Sequence, residues 1–460
     1  ITIIFNGEIY NFKEIRKELI NFGHKFKSKT DTEVLLAAYS TWGKNMVKKL
    51  NGMFAFAIYD EIQNIIFLAR DRAGEKPLYF NYENNTIFFA SELKALFKNQ
   101  KLIKEIDYNF LDTYLNLGFV PGTNTLIKNF KKLPAGKTLT FSITHGSILI
   151  ESYWELPEPK YLNQSHFNSE DYLSNIEQLL FNSISKQLIA DVPVGILLSG
   201  GLDSSLITAI AVKCRQNIKT FNVTFPNNKN FNESNHAKLI ANHFKTEHIE
   251  LEVNSASANL LPKLAKQFDE PIVDSSIIPT SLLTNTVRDQ CKVALGGDGA
   301  DELFGGYDHY QRILLLEKYF SKLPQFIISG LTKLSDKYIN QFRKSKNYFN
   351  ALGMDFNNDV PLLAQYFDKK NREKIFNNDS YIFESEKCRK FLVSNEKNLL
   401  DRYLRFDFNG YLNEDILVKV DRSSMLNSLE IRAPFLDYKL IEYTFKFIPP
   451  HLKATHNNKK

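Results

Sequence analysis

The sequence predicts an α+β half rich in antiparallel strands, followed by an α/β half with a doubly wound parallel sheet and a helical carboxy-terminal region. Short strand patterns separated by turns fill residues 1–156. A polar, proline-bearing stretch follows, and from about residue 170 strand patterns alternate with helical ones, which is typical of a parallel sheet. Because 460 residues are enough for two or three hydrophobic cores, we expect two domains, at 1–156 and 170–460.

The amino-terminal half is predicted from alternating apolar residues and turn signals. The predicted strands are Ile1–Phe5, Met53–Tyr59, Ile65–Ala69, Leu78–Tyr82 and Ile87–Ala90. Between the last two strands, Asn84-Asn85 favours a hairpin turn. One helical pattern, Glu33–Trp42, interrupts the strands, and Asp31 or Thr32 is expected to cap it.

The carboxy-terminal half is predicted from apolar runs that alternate with longer helical segments. The predicted helices are Asp171–Ile189, Ser204–Cys214 and Glu233–Phe244, and the predicted strands are Val194–Leu198, Thr220–Phe225, His248–Val253 and Val293–Leu295. From about Tyr307 to Phe408 the chain is expected to be helical, and this segment shows no chemical motif.

Charge and cysteine usage exclude several classes of function. The net charge of +6, from 58 Lys and Arg against 52 Asp and Glu, is spread along the chain, so we expect no nucleic-acid partner. Cys214, Cys291 and Cys388 form no CxxC pair, which indicates reduced thiols of a cytoplasmic protein and neither disulfides nor a zinc site. No apolar run is long enough to cross a bilayer, so no membrane partner is expected.

The strongest local pattern follows the first strand of the carboxy-terminal half. An apolar run leads through Leu198 into Ser199-Gly200-Gly201-Leu202-Asp203-Ser204, which we call the phosphate loop, and then into a helix. Adjacent glycines let backbone N–H groups close around an anion, and the helix N-terminus adds its positive end. Asp203 can hold the Mg²⁺ that accompanies a polyphosphate. The alternative is a tight turn in which the glycines only permit the backbone conformation and bind no ligand.

Three other glycine-rich loops do not fit this segment. A Walker loop requires a lysine before its final Ser or Thr, and none is present. The dinucleotide pattern GxGxxG is also missing. A hydrolase elbow, GxSxG, would need glycine where Leu197 stands.

A second loop, residues 296–302, combines glycines with carboxylates and is called here the acidic loop. It follows the strand that ends at Leu295 and contains Asp298, Asp301 and Glu302. Ligands of open α/β sheets bind beyond the carboxyl ends of the strands, so we expect the acidic loop to face the phosphate loop. Asp301 and Asp203 could then share one divalent cation. A solvated acidic turn and a calcium loop are the alternatives, although the distant glutamate of an EF-hand is missing.

The two loops carry a resemblance to a known family. The phosphate loop resembles the pyrophosphate-binding loop of the ATP pyrophosphatase superfamily, and the acidic loop with Phe304-Gly305-Gly306-Tyr307 is similar to that of asparagine synthetases. The resemblance implies that ATP is bound by Leu198, Ser199, Gly200, Gly201, Leu202, Asp203, Ser204, Val223, Gly296 and Gly297. It also implies Mg²⁺ on Asp203 and Asp301 and a role for Asp298 in forming β-aspartyl-AMP. In the family pattern a serine replaces Gly296 and a glutamate replaces Asp298.

Two further segments extend the resemblance toward the carboxyl end. Asp415–Met425 and Leu429–Asp437 resemble the later helix and the Arg-x-Pro-Phe-Leu-Asp turn of the same family. Lys419, Asp421 and Arg432 could contact substrate or could form ordinary ion pairs, and the sequence favours neither.

The amino-terminal half resembles class II glutamine amidotransferases, whose fold is an Ntn-hydrolase-like antiparallel sandwich. Asn6-Gly7-Glu8-Ile9-Tyr10-Asn11 ends the first predicted strand. A side-chain amide beside a glycine N–H suits an oxyanion hole, and nearby carboxylates suit an ammonium group. Asn-Gly is also a common turn, which is the alternative interpretation. Arg70-Asp71-Arg72 with Gly74, Pro77-Leu78-Tyr79 and Ala90–Leu96 match the family in order and spacing. The resemblance implies that Asn6 and Gly7 form the oxyanion hole and that Asn6, Gly7, Glu8 and Asp31 bind glutamine.

Both ends of the family pattern are missing from the sequence. The family nucleophile is an N-terminal cysteine, but this chain opens with Ile1–Phe5, which is typical of the middle of a strand and unlike a signal peptide. The chain also ends before a later lysine-bearing loop. We therefore expect a piece of a longer gene product.

The combined resemblance implies a glutamine-hydrolysing asparagine synthetase that uses ATP, Mg²⁺, aspartate, and glutamine or ammonia. Two alternatives remain: a sister ligase for another carboxylate, such as a sugar acid or a β-lactam precursor, and a non-catalytic nucleotide-binding module. The oligomeric state is open, with a homodimer as one candidate.

Overall fold

The computed structural model describes most of the chain. The described residues are 1–161, 169–224, 233–252, 259–321, 323, 327, 351, 355–362, 366–376 and 379–455. The predicted strand ends at Phe225 and Val253, part of the predicted linker and much of the predicted helical segment 307–408 lie outside these residues. Within them the fold class is confirmed: antiparallel sheets come first, and a parallel sheet with a helical region follows.

Two antiparallel sheets form the amino-terminal half. The strands are β1 (Thr2–Ile9), β2 (Gly52–Asp60), β3 (Ile65–Arg70), β4 (Tyr79–Glu83), β5 (Thr86–Ala90), β6 (Phe130–Lys132), β7 (Lys137–Ser142) and β8 (Ser147–Ser152). The larger sheet has the order β1-β2-β3-β7-β8, and the smaller one has the order β5-β4-β6. The helices of this half are α1 (Phe12–Asn21), α2 (Asp31–Trp42), α3 (Leu93–Leu96) and α4 (Tyr108–Leu117).

The alternation of residues along β2 explains why the larger sheet has two covered faces. Phe54, Phe56 and Ile58 belong to a core shared with helices α1 and α2. Ala55 and Ala57, which point the other way, belong to a core shared with the smaller sheet. The result is a sandwich in which β1 lies at one edge, close to the carboxy-terminal half.

The structure confirms one local prediction in this half and corrects two. Asn84 and Asn85 both have positive φ, 49° and 56°, as a type I′ hairpin turn requires. Helix α2 is capped by Thr30, whose side chain accepts from the backbone N–H of Glu33, and not by Asp31 or Thr32. Strand β1 does not end at Phe5 but continues to Ile9, because its pairing with β2 is unbroken through that residue.

The carboxy-terminal half is built on one parallel sheet of five strands. The strands are β9 (Val194–Leu197), β10 (Lys219–Thr224), β11 (Glu247–Glu252), β12 (Val293–Leu295) and β13 (Glu430–Arg432), in the order β11-β10-β9-β12-β13. Helices on this sheet include α5 (Ser169–Gln187), α6 (Leu202–Cys214), α7 (Ser234–Phe244), α8 (Leu260–Phe268), α9 (Ile277–Val287), α10 (Ala300–Phe304) and α11 (Asp308–Phe320). Strand β13 falls where the sequence predicted only a turn.

The helical region follows these elements. It contains α12 (Lys369–Ile375), α13 (Asp379–Phe391), α14 (Leu399–Asp407), a π-helix (Phe408–Ile416), α15 (Leu417–Leu426), α16 (Tyr438–Phe447) and α17 (Pro450–Lys453). Among the described residues, no helix combines the length and apolar character that crossing a membrane requires.

The strand order places the phosphate loop beside the acidic loop. From β9 the chain moves outward to β10 and β11, and it then returns to β12 on the other side of β9. Strands β9 and β12 are parallel neighbours, with Ala294 opposite Gly195. The loops that follow them therefore leave the same edge of the sheet, at the point where the strand order reverses.

Buried ion pairs join the two halves. Lys76 lies 3.0 Å from Asp421, and Lys132 lies 2.6 Å from Glu414; all four side chains are at most 10% exposed. Separating the halves would leave each of these charges without its buried partner, which is costly. The pairs therefore fix how the sandwich sits on the parallel sheet.

Candidate functional site

The phosphate loop is a compact turn whose shape depends on glycine. Gly200 has φ +84°, and a Cβ at this position would lie 2.6 Å from the backbone nitrogen of Ala237. Only glycine fits there without strain. The Ser199 hydroxyl accepts from the N–H of Gly201 at 3.1 Å and lies 3.1 Å from the Ser204 hydroxyl. The turn thus leads directly into the N-terminus of α6, where backbone N–H groups are available to an anion.

The acidic loop touches the phosphate loop. A Cβ at Gly297 would lie 3.3 Å from the Cβ of Asp203, so the two backbones approach closely at this point. Both loops line a cavity of about 350 Å³ that is open to solvent. Its lining residues are Leu197, Ser199, Gly201, Asp203, Ser204, Gly296, Gly297, Asp298, Gly299, Asp301, Glu302, Tyr307, Ile416 and Lys419.

Four of the predicted ATP-binding residues lie outside this lining: Leu198, Gly200, Leu202 and Val223. Leu198 is buried against Ala237 and Ala241 of α7, on the side opposite to Leu197, as expected for neighbouring residues at a strand end. Leu202 is 82% exposed. The other predicted residues of both loops come together as the strand order requires.

Carboxyl groups and one lysine dominate the electrostatics of the cavity. Burial raises the pKa of Asp298; the charge of Lys419 opposes this shift and that of Asp301 adds to it. Burial also raises the pKa of Glu302 to about 8, although Tyr307 donates a hydrogen bond of 2.8 Å to that carboxylate. A bound cation would stabilise the charged form of these acids.

Lys419 is held at the cavity by carboxylates behind it. Its Nζ lies 2.8 Å from Asp274 Oδ2. Burial raises the pKa of the neighbouring Asp415 to about 7, and the charge of Asp274 adds to this effect. The ammonium group is therefore positioned by Asp274 while it still lines the cavity.

The carboxylates of the cavity suit a metal ion that binds together with a nucleotide. Asp203 and Asp301 both line the cavity. Within the described part of the chain, no group of three or more His, Cys, Asp or Glu side chains could hold a metal by itself. Magnesium in nucleotide sites is usually held by one or two carboxylates plus phosphate oxygens, so two carboxylates fit such an ion.

The predicted glutamine-binding residues lie along the edge strand β1 and at the start of α2. Asn6 donates to the Ser91 hydroxyl at 3.3 Å, and Asp31 accepts from the backbone N–H of Ile9 at 3.1 Å. A Cβ at Gly7, whose φ is +148°, would lie 2.1 Å from the carbonyl oxygen of Met53, so this position requires glycine. The group is thus inside a paired strand and not in a turn after it.

Glu8 links this group to the carboxy-terminal half. Its Oε2 lies 3.4 Å from Nη2 of Arg432. Burial raises the pKa of Glu8 to about 7; the charge of Arg432 lowers it, and that of Asp31 raises it. The two carboxylates are therefore close enough to affect each other, as joint binding of one ammonium group requires.

The segments Asp415–Met425 and Leu429–Asp437 contribute residues to the cavity and to the interface between the two halves. Arg432 donates to the carbonyl oxygens of Gln187 and Ile189 at 2.7 and 2.8 Å, which gives it a structural role in addition to its contact with Glu8. Asp421 pairs with Lys76 at the interface. Of the three residues that the sequence left undecided, only Lys419 lines the large cavity.

Some lining residues could not be recognised from the sequence. Ile416 and Tyr307 reach the cavity from the π-helix and from the start of α11. Tyr307 could have been found from its place in the quoted Phe-Gly-Gly-Tyr motif. No sequence motif marks Ile416 as a lining residue, because its position at the cavity depends on the fold of a distant segment.

A smaller cavity of about 20 Å³ lies between the two halves. It is lined by Met53 and Glu75 from one half and by Asp298 and Asp421 from the other. Met53 is paired with Glu8 across β1 and β2, and Asp298 also lines the large cavity. This small space therefore lies between the two groups of predicted site residues.

Comparison with known proteins agrees with this arrangement. The family model described as asparagine synthase matches residues 175–460, and the one described as glutamine amidotransferase domain matches residues 1–154. Asparagine synthetase [glutamine-hydrolyzing] 1 of Bacillus subtilis strain 168 is 33% identical over 464 aligned residues, covering 100% of this chain and 71% of that protein. Asparagine synthetase [glutamine-hydrolyzing] 3 of the same organism is 31% identical, with the same coverage of 100% and 71%. The chain therefore belongs to the asparagine synthase family.

Proposed function

We propose that this chain is an ATP-dependent ligase that converts aspartate to asparagine, with nitrogen from glutamine or ammonia and with AMP and pyrophosphate as the other products. The observation that carries this proposal is the single cavity shared by the phosphate loop and the acidic loop. A loop of backbone donors facing a group of carboxylates suits a polyphosphate with its metal ion. We assign the synthetase activity to residues 170–460 and the binding of glutamine to residues 1–156.

In this proposal ATP lies with its phosphates against Ser199–Ser204 and the N-terminus of α6. Gly296 and Gly297 lie alongside the adenylate, because glycine allows close approach. Val223, which is partly exposed, would contact the adenine at the margin of the cavity, whereas Leu198 is buried against α7 and could contribute only its backbone. Asp203 and Asp301 would hold Mg²⁺, which would neutralise phosphate charge and so make pyrophosphate a better leaving group.

The first chemical step forms a mixed anhydride. A side-chain carboxylate oxygen of aspartate attacks the α-phosphorus of ATP, and the bond between that phosphorus and the bridging oxygen breaks as pyrophosphate leaves. Lys419 lines the cavity and is fixed by Asp274, so its positive charge can orient the aspartate carboxylate. The bound nucleotide and aspartate would themselves shield the anhydride from water.

The second step forms the amide. Ammonia attacks the acyl carbon, the bond to the phosphate oxygen breaks, and AMP leaves. The nitrogen must lose a proton, and we assign its acceptance to the Asp298 carboxylate, in addition to the role in forming β-aspartyl-AMP that the family resemblance implies. Asp298 lines both the large cavity and the small one between the halves, and burial raises its pKa toward that of a useful base.

Glutamine would be bound beside β1. The backbone N–H of Gly7 and the side-chain amide of Asn6 suit the oxyanion formed when an amide is attacked, and Glu8 with Asp31 suits the α-ammonium group. Residues 1–154 contain no cysteine, so the proposal for this chain covers binding and not the nucleophilic step. Ammonia would pass from this site toward Asp298 through the small cavity.

The proposal is tested by following pyrophosphate release from the purified 460-residue chain with ATP, Mg²⁺ and ammonium. We expect release that depends on aspartate and yields equal amounts of AMP and asparagine. Glutamate, a sugar acid and a β-amino acid serve as competing acceptors. Release with one of these and not with aspartate would indicate a sister ligase. Binding of ATP without release in the presence of any acceptor would contradict the ligase activity of this chain.

A further inference from the structure

A second large cavity lies next to the nucleotide cavity, and none of the chemistry above uses it. Its volume is about 190 Å³. Among its described lining residues, six have polar or charged side chains: Tyr307, His309, Tyr366, Tyr403, Asp407 and Tyr411. These residues come from α11, α14, the π-helix and the loop before α12. Tyr307 forms a wall of both cavities.

The rings are arranged around the space and not stacked in one direction. Tyr307 lies nearly parallel to His309, with centroids 5.3 Å apart and an interplanar angle of 24°. Tyr411 meets Tyr307 edge-on at 6.1 Å and 66°, and Tyr403 is tilted at 5.3 Å from His309. Rings in several orientations present both faces and edges to a cavity. The faces carry the negative part of the ring quadrupole and attract cations.

One carboxylate lies in this ring of aromatic residues. The Oδ2 atom of Asp407 accepts a hydrogen bond of 2.8 Å from the Tyr310 hydroxyl and lies 3.0 Å from Nε2 of His309. In the part of the chain that the structure describes, both bonds end on Oδ2, and the ion pairs of Asp407 are limited to His309. The side chain is 7% exposed. Among the described residues no hydrogen bond ends on Oδ1, so this oxygen of the carboxylate is available to a ligand.

We propose that this aromatic cavity binds a small organic cation, such as an alkylammonium ion, with its charge between Asp407 and the rings of Tyr403 and Tyr411. A buried carboxylate is costly unless its charge is balanced, and a cation in the cavity would give Asp407 a partner in addition to His309. Ring faces supply further attraction to the same charge. An anion would be repelled by both features, and a neutral apolar ligand would add no partner to those that His309 and Tyr310 already supply to the carboxylate.

The site differs from the nucleotide cavity in the charge of its ligand, although the two share Tyr307. The nucleotide cavity offers backbone donors to an anion, whereas the aromatic cavity offers a carboxylate and ring faces. This inference does not rest on the proposed function, because a cation can be titrated without ATP. Its failure and the failure of the ligase proposal are therefore distinguishable.

Titration calorimetry with choline, on the purified chain without ATP or Mg²⁺, tests the proposal. We expect saturable binding at one site, and 3,3-dimethylbutan-1-ol, the neutral isostere of choline, should bind about tenfold more weakly. Equal binding of the two compounds, or no binding of choline, would overturn the proposal. Choline should still bind after ATP is added, and its displacement by ATP would place it in the other cavity.

Substitutions of residues that line the aromatic cavity test whether choline binds there. Tyr411→Leu should weaken choline binding about fivefold, whereas Tyr411→Phe, which keeps the ring, should stay within about twofold of the original chain. Asp407→Asn should weaken binding by at least about tenfold. Tyr319→Leu is the matched control, because Tyr319 is exposed on α11 away from the cavity. If Asp407→Asn does not fold, the Tyr411 pair decides: equal affinity in both Tyr411 variants would contradict the site.

Discussion

The two groups of predicted site residues are assembled in different ways. In the carboxy-terminal half, β9 and β12 are parallel neighbours, so the loops that follow them must leave the same edge of the sheet. In the amino-terminal half, the candidate residues stand within the antiparallel strand β1 and take their partners from distant segments. Glu8 contacts Arg432, and Asn6 contacts Ser91.

This difference shows that the site at the parallel sheet depends on strand topology, whereas the group on β1 depends on individual side-chain contacts. The phosphate loop would bind through backbone N–H groups and a helix terminus, which any sequence able to form the turn provides. On β1, Glu8 would bind through a side chain whose charge state depends on burial and on Arg432. Substitutions in the first site should therefore act on nucleotide chemistry, and those in the second on pH-dependent properties.

The largest effect is expected for Asp203→Asn. The substitution removes one of the two carboxylates proposed for Mg²⁺ but keeps the size of the side chain. Pyrophosphate release should fall by roughly 1,000-fold, because the metal supplies several kcal/mol of charge stabilisation to the transition state. The assay is pyrophosphate release with ATP, ammonium and aspartate, accompanied by a thermal melt.

The matched control for this variant is Asp289→Asn. Asp289 is 71% exposed and lies outside the cavity, so its loss should leave release unchanged. Normal turnover in Asp203→Asn would show that this carboxylate does not hold the metal.

The next largest effect is expected for Asp298→Asn, which separates chemistry from binding. We expect the rate to drop by roughly 100-fold, a usual contribution of a general base. ATP affinity should change little, because Asp298 is not proposed to hold the metal. Asp298→Glu should keep most of the activity, since glutamate occupies this position in the family pattern. Calorimetry with ATP measures the affinity and the formation of asparagine measures the rate, and a loss of ATP affinity equal to the loss of rate would rule out the assigned role.

A smaller effect, on stability and ATP binding together, is expected for Gly200→Ala. The new Cβ would lie 2.6 Å from the backbone of α7, at φ +84°. We expect about 2 kcal/mol lower free energy of unfolding and weaker ATP binding, because the turn must distort. Gly201→Ala is the control: its backbone has φ −69°, and its Cβ would meet only the Ser199 hydroxyl at 3.2 Å. If both variants behave alike in urea denaturation, the turn is not held by Gly200.

The sequence predicted that the phosphate loop and the acidic loop lie side by side, because the determinants of this arrangement are local. Strand patterns, adjacent glycines and a following helix can each be recognised within about a dozen residues. The strand order then brings the two loops to the same edge of the sheet. Even so, Leu198 lies on the opposite side to Leu197, against α7, because the side that a strand-end residue faces depends on packing.

The sequence predicted the β1 site less completely because its geometry depends on long-range pairing. The first strand seemed to end at Phe5, since Asn6-Gly7 is a common turn, but pairing with β2 continues to Ile9. Strand β13 was missed for a similar reason: three residues, Glu430–Arg432, form a strand only because β12 offers a free edge. The contact between Arg432 and Glu8, 424 positions apart in the chain, could not be inferred from either local pattern.

The smallest effect is expected at Glu8, and it tests the contrast between the two sites most directly. Burial raises the pKa of Glu8 from 4.5 to about 7, so the folded chain binds this proton more tightly than the unfolded chain. The resulting stabilisation is fully present below about pH 4.5 and is lost as the pH rises to about 7. Relative to Glu8→Gln, the original chain should therefore lose about 1 kcal/mol of unfolding free energy over this range, a value reduced for the partial exposure of the side chain. Urea denaturation at several pH values measures it, with Glu61→Gln at an exposed turn as the control. A difference that is constant with pH would mean that Arg432 fully compensates the buried charge, and the amino-terminal site would then be as insensitive to pH as the phosphate loop.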